Sequence, residues 1–241
     1  MTVSFRSLFA ATVLAGTALT AAPAMAQDES DISVSANVAM VSDYRFRGVS
    51  FSDEDFAVQG GVDIGHSSGF YVGAWASSLE DGDFGSTELD LYAGYSAALT
   101  DSLSFDVGML YYIYPNASDV DDFASDYLEP YASVTGAVGP AEVTVGVAYA
   151  FDQAALGDQD NLYLYTDVGF GIPETPVSFT GHLGYTDGVL APSADGTAFD
   201  WSVGGSVGFM GLDLGLSYIG VEGPDVHGID DTIVASLSAS F

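Results

Sequence analysis

Residues 32–47 read ISVSANVAMVSDYRFR, and the two sides of this stretch differ sharply. Ile32, Val34, Ala36, Val38 and Met40, then Tyr44 and Phe46, fall on one side, while Ser33, Ser35, Asn37, Asp43, Arg45 and Arg47 fall on the other. A period of two marks a strand, because successive side chains leave a pleated backbone on opposite faces. Strands in soluble sheets run to about five or six residues, so one over 32–47 is long. A tilted strand crosses a bilayer in about 9 to 11 residues, with apolar side chains on lipid and polar ones on a lumen.

The rest of the chain repeats this pattern. About twelve segments alternate in the same way, over 32–47, 56–65, 70–78, 87–99, 102–114, 127–137, 143–151, 162–170, 177–185, 199–209, 212–218 and 233–241. Only 70–78 has an ambiguous facing, since both of its sides are apolar or small. Long connections (48–55, 79–86, 116–126, 152–161, 186–198, 221–231) take turns with short ones such as His66-Ser67-Ser68-Gly69 and Met210-Gly211. Long and short connections therefore gather at opposite ends of one structure.

Charge sorts along the same lines. Asp and Glu number 34 against three Lys and Arg, a net charge of −31. Most carboxylates lie in the long connections. Those within strands are Asp43, Asp63, Glu88, Asp90, Asp106, Glu129, Asp167, Asp200 and Asp213, all on the polar side. A charge on the lipid face near the bilayer midplane costs roughly 2–4 kcal/mol for Arg or Lys and less for Asp or Glu, so a membrane barrel predicts this sorting. A soluble sandwich also alternates, but its apolar side points inward and nothing drives acidic loops to one end. The expectation is an all-β fold, a transmembrane antiparallel up-and-down β-barrel of about 12 strands, closed by pairing the first strand with the last.

The first 26 residues read differently. Arg6, an apolar run over 8–19 and the small-residue end Ala24-Met25-Ala26 have the form of a secretory signal peptide. The expected division is a signal peptide over 1–26 and an outer-membrane barrel domain over 27–241, with both termini periplasmic and the acidic loops outside. The barrel domain then keeps two basic residues, Arg45 and Arg47. Nucleic acid is excluded as a partner, since phosphate binding needs a positive surface. With no cysteine in the chain, disulfides and thiolate chemistry are excluded as well.

The segment SDYRFRGVSFSDEDFAVQGGVDIGHSSGFYVGAW, starting at Ser42, resembles the start of the TorF-type porins of Gram-negative bacteria. ELDLYAGY from Glu88, LYYIYP from Leu110, DYLEPYA from Asp126 and NLYLYTDV from Asn161 share the likeness, and the closing SLSASF, ending in Phe241, resembles a terminal barrel strand. The resemblance implies an outer-membrane barrel and a pore, and brings no substrate.

The residues expected to line that pore are Asp43, Arg45, Arg47, Asp63, Glu88, Asp90, Asp106, Tyr112, Tyr114, Glu129 and Asp167. Carboxylates outnumber arginines along it, so passage of small hydrophilic solutes or ions with a preference for cations is expected. Tyr92, Tyr127, Tyr131, Tyr163 and Tyr165 share this face, as a stacking track for solutes or as filling. Outer-membrane lipid and the solutes themselves are the expected partners, with no cofactor and no metal. Two alternatives remain. One is a closed structural or adhesive barrel whose acidic loops bind divalent cations; the other is a hydrolase built on His227 with Asp225, Asp230 and Asp231, although no zinc or nucleophile motif accompanies it.

Overall fold

A computed structural model describes residues 31–82, 84–117, 125–224 and 226–241. The expected signal peptide, the acidic loop residues Asp119, Asp121 and Asp122, and Asp225 lie outside them. The chain forms a closed barrel of twelve antiparallel strands, each paired with its neighbours in sequence. The staves are β1 (Ile32–Val41), β4 (Ala57–His66), β5 (Phe70–Gly82), β6 (Gly85–Thr100), β7 (Leu103–Ile113) and β8 (Tyr127–Val138). They continue with β9 (Ala141–Gln153), β10 (Gln159–Gly171), β11 (Val177–Gly188), β12 (Thr197–Phe209), β13 (Leu212–Val221) and β14 (Thr232–Ser240). A separate two-stranded hairpin, β2 (Arg45–Phe46) with β3 (Val49–Ser50), lies between the first two staves.

Closure follows from the pairing of β1 with β14, where Asn37 faces Ser240 and Val41 faces Ser236. Ala36 and Phe241 extend this ladder by exchanging backbone hydrogen bonds of 3.1 and 2.8 Å. No lateral edge is left where lipid would strand unpaired N–H and C=O groups. Register then sorts the side chains into rows. Asp90 pairs with Tyr112 and Tyr112 with Tyr127, all pointing inward, while Leu91 and Tyr111 pair outward. Val34, Val58, Val145, Val203, Leu216 and Ile233 are exposed on the outside. The hydrophobic surface is the exterior and the polar surface the interior, inverted relative to a soluble barrel.

Several boundaries differ from those expected. The strand expected over 32–47 ends at Val41, because the chain turns into the barrel there instead of continuing past the rim. Ser42 caps the rim: its N–H donates to the Ala235 carbonyl and its hydroxyl accepts from the Ala235 N–H, both at 2.9 Å. Beyond it Tyr44 and Phe46, expected on the lipid side, are 2% and 5% exposed and lie inside. Arg45 and Arg47 therefore belong to the hairpin and not to the wall. The acidic loop expected over 79–86 is a continuation of β5 and β6, which pair out to Gly82 and Gly85. In 152–161 only a short 3₁₀ turn, Ala154–Leu156, separates β9 from β10. The segment of ambiguous facing resolves with Phe70 and Val72 outward and Tyr71 and Trp75 inward.

Candidate functional site

The enclosed lumen has two unlike halves. At the end with the long connections the hairpin fills it. Arg47 and Gly48 occupy the two central positions of the β2–β3 turn with φ of 48° and 82°, the positive values that a two-residue hairpin turn matched to strand twist requires. Glycine takes that conformation without steric cost, and arginine does not. The turn carries Arg47 deep into the barrel, where its Nη2 donates to both carboxylate oxygens of Glu129 on β8, each at 2.8 Å. Its guanidinium also lies over the rings of Tyr163 on β10, 4.1 Å from the centroid, and of Phe46, at 4.8 Å.

Around this anchor the loop end is packed. Tyr112 donates to Glu129 at 3.1 Å and stacks on Tyr127 with centroids 4.4 Å apart. Tyr44 donates to Glu88 at 3.2 Å and meets Trp75 edge-on at 5.6 Å. Tyr114 closes the top of the cluster against Phe84 at 4.8 Å, and its N–H donates to Asp126 at 2.9 Å. Glu88, Asp90 and Glu129 are each 1% exposed.

At the rim, Arg45 holds the base of the hairpin. Its Nε donates to Asp43 at 2.5 Å, and its Nη1 donates to the Asp230 carbonyl at 2.8 Å in the loop between β13 and β14. Glu54 accepts from the Gly228 N–H at 2.9 Å, and His227 bridges Asp53 at 2.9 Å and Glu54 at 3.0 Å. His227, the centre of the hydrolase alternative, is thus part of a surface clasp between the first and last loops.

The half with the short turns is built on small residues. Its inward positions include Ser35, Ser133, Ser206, Ser217 and Ser236, all half-buried or exposed. Here the tyrosines lie along the wall. A side chain at Gly73 would occupy the space of the Tyr92 ring on the adjacent strand, and one at Gly146 that of the Tyr165 ring. Glycine opposite tyrosine lets the ring lie flat across the ladder. The hydroxyls then reach carboxylates: Tyr92 donates to Asp63 at 2.5 Å, and Tyr71 donates to Asp106 at 2.6 Å beside the Tyr131 hydroxyl.

Residues 25–241 match the model of a bacterial family, Gcw_chp, described as of unknown function. The chain belongs to that family. No curated protein matches it. Among solved structures it is similar to a KdgM porin, at 11% identity and a TM-score of 0.59, covering 86% of this chain and 99% of that one. A KdgM porin in complex with disordered oligogalacturonate aligns at 9% identity and a TM-score of 0.57, covering 86% and 97%. At such identities the likeness is one of fold.

Within this Gcw_chp barrel, His182 on β11 marks the border between the two halves. Its Nδ1 lies 2.6 Å from Asp167, and its Nε2 lies 3.0 Å from Asp200 and 2.8 Å from the Tyr163 hydroxyl. Both carboxylate contacts are satisfied together only when both ring nitrogens carry hydrogen. Tyr163 joins this cluster to Arg47, whose guanidinium covers its ring. Asp200, His182, Tyr71 and Trp75 belong to the lumen alongside the residues singled out by sequence. The signal for His182 and Asp200 was their place on the polar side of β11 and β12.

The expected pore residues fall into three groups. Asp43 and Arg45 meet at the rim; Arg47, Glu88, Asp90, Tyr112, Tyr114 and Glu129 form the packed loop end; Asp63, Asp106 and Asp167 are half-buried in the more open half with the short turns. Burying Tyr44 and Phe46 stabilises the docked hairpin by about 1.5–3 kcal/mol each. Against this, Nε and Nη1 of Arg47, Oε2 of Glu88 and Oδ1 of Asp90 have no hydrogen-bond partner among the described residues. Each such group costs about 1–3 kcal/mol, which opposes the stabilisation that the docked hairpin gains.

Proposed function

We propose that the chain, after loss of residues 1–26, is an outer-membrane channel formed by residues 27–241, with both termini in the periplasm. Small hydrophilic solutes or ions pass through it, and cations pass preferentially. One observation carries this reading: the half of the lumen with the short turns presents Asp63 and Asp106, with His182 shared between Asp167 and Asp200, while both arginines of the described chain are committed to carboxylates in and above the packed half. With these cations held in place by carboxylates that outnumber them, the lumen keeps a negative excess, and patches of one charge set ion preference in pores. The resemblance of 42–75 to TorF-type porins and the KdgM-like fold support a channel. The test is the reversal potential of the purified protein in a planar bilayer under a potassium chloride gradient. A potential of the sign set by potassium is expected, and the opposite sign contradicts the cation preference.

The packed loop end favours a second reading, a closed barrel that serves as a structural element of the membrane. Complete absence of conductance, in the native chain and in a chain lacking the hairpin, would establish that reading over the first.

A further inference from the structure

A channel needs a passage through its loop end, and we infer that the β2–β3 hairpin is a displaceable gate, held across the lumen by Arg47 on Glu129. The inference rests on the channel reading. Its first support is topological. β2 pairs only with β3, and Val41 is already paired with Ala57 beneath them. Residues 42–56 are thus a loop whose ends the barrel itself holds together; its departure leaves the pairing of the staves intact and breaks the tethers of the Ser50 N–H to the Gly228 carbonyl, the Glu80 N–H to the Phe51 carbonyl and Arg45 to Asp230.

The second support is energetic. The docked hairpin leaves Nε and Nη1 of Arg47, Oε2 of Glu88 and Oδ1 of Asp90 buried without partners. Water entering behind a departing hairpin hydrates all of them, which offsets part of the aromatic contacts and of the Arg47–Glu129 pair given up. The third is strain. Arg47, Asp53 and Glu54 hold φ of 48°, 56° and 64°, a region unfavourable to residues other than glycine and relaxed once the loop is free. A segment that docks against these costs, on a barrel closed without it, has the features of a two-state element.

The chain has no cysteine, so an introduced pair has no competing thiol. The Cβ of Ser50 lies 3.6 Å from the position a Cβ takes at Gly228, within the range of about 3.5–4.5 Å that a disulfide spans. Gly228 holds a φ of 80° and the Ser50 hydroxyl bonds Asp43, so the reduced pair, which carries the same strain and the same loss, is the reference. Ser50→Cys with Gly228→Cys, oxidised, fixes the hairpin to the last loop. Single-channel recordings then compare the oxidised pair, the reduced pair and a chain in which 43–52 is replaced by an Asn-Gly turn. The expected result is an open probability at least roughly tenfold lower oxidised than reduced, with the shortened chain conducting without closures. Equal conductance in the two redox states, with the cross-link verified by mass, overturns the gate. So does a reduced pair that stays silent while the shortened chain conducts, since that describes a fixed plug. A shortened chain that folds yet conducts nothing overturns the channel reading itself. Glu129→Gln, which leaves the rim clasp intact, is expected to raise the open probability; an unchanged value contradicts the role of Arg47.

Discussion

At its loop end the lumen is a packed interior in which Glu88, Asp90 and Glu129 are each 1% exposed. At its turn end the same barrel leaves Asp106 half-buried, and the side chains of Asp167 and His182 are 32% and 19% exposed. The strands are the same and so is their alternation. Much of the difference comes from the connection 42–56, which folds back and brings Tyr44, Phe46 and Arg47 into space the staves alone would leave to water, with Leu156 and Leu190 of other connections packed on the same cluster. Strand number sets how wide a barrel is; in this one a loop sets how much of that width is filled.

The largest expected effect breaks the packed half alone. Glu129→Ala leaves the Arg47 charge buried without a partner, a defect of about 3–5 kcal/mol if the hairpin stays in place, so the hairpin leaves instead. Arg45 and Arg47 are the only basic residues in the described chain, which makes trypsin a specific probe of undocking. The folded wild-type barrel resists cleavage, and the variant is cut at least roughly tenfold faster. Asp106→Ala in the open half leaves the cleavage rate unchanged. Equal sensitivity of the two variants would erase the distinction between the halves.

A smaller effect belongs to the wall of the open half. Gly146→Val pushes its side chain into the Tyr165 ring and costs about 1–3 kcal/mol of overpacking, read by urea unfolding in micelles. Gly181→Ala, whose new Cβ would meet the Ser202 carbonyl at 4.0 Å, costs less than about 0.5 kcal/mol. Asp106→Asn is milder still. It lowers the cation-to-anion permeability ratio by about twofold at moderate salt, measured as a reversal potential closer to zero.

The smallest effect concerns the rim. Partial burial acts to raise the Asp230 carboxyl, but hydrogen bonds to its own backbone, to Arg45 and to Glu54 outweigh it and hold the group below its usual value. A depressed carboxylate contributes stability above its unfolded value, about 3.9, and loses it as pH falls through the lower folded value. The clasp between the first and last loops therefore survives mild acid and weakens only below that range. Asp230→Asn removes this dependence, and the near-ultraviolet signal of the packed aromatics, recorded at each pH from 6 down to 3, shows the difference.

Much of the barrel was legible in its sequence because lipid demands a strict pattern. Leu89, Leu91 and Ala93 against Glu88, Asp90 and Tyr92 admit only one facing, and a slip of one residue would put carboxylates on lipid. The hairpin was not read from the sequence, since Tyr44, Arg45, Phe46 and Arg47 resume the alternation after a single break at Val41-Ser42, where β1 ends. What stops the strand is three-dimensional: the rim bonds of Ser42 and the distant partner Glu129. One signal was present, in that Arg45 and Arg47, the only arginines after residue 26, stand two apart just before Gly48. Flat-lying tyrosines were equally hidden, because pairing Tyr92 with Gly73 and Tyr165 with Gly146 depends on register between strands.

The contrast between the two halves is tested most directly by two single cysteines on one strand and one face. Ala198 and Ser206 both point into the lumen from β12, Ala198 at 2% exposure in the packed half and Ser206 partly exposed in the open half. With Ser206→Cys or Ala198→Cys in an otherwise cysteine-free barrel, a small charged thiol reagent is added to the folded protein. Rapid labelling at position 206 and protection at position 198 is the predicted result. Equal rates at the two positions would contradict a lumen that is open at one end and closed by its own loop at the other.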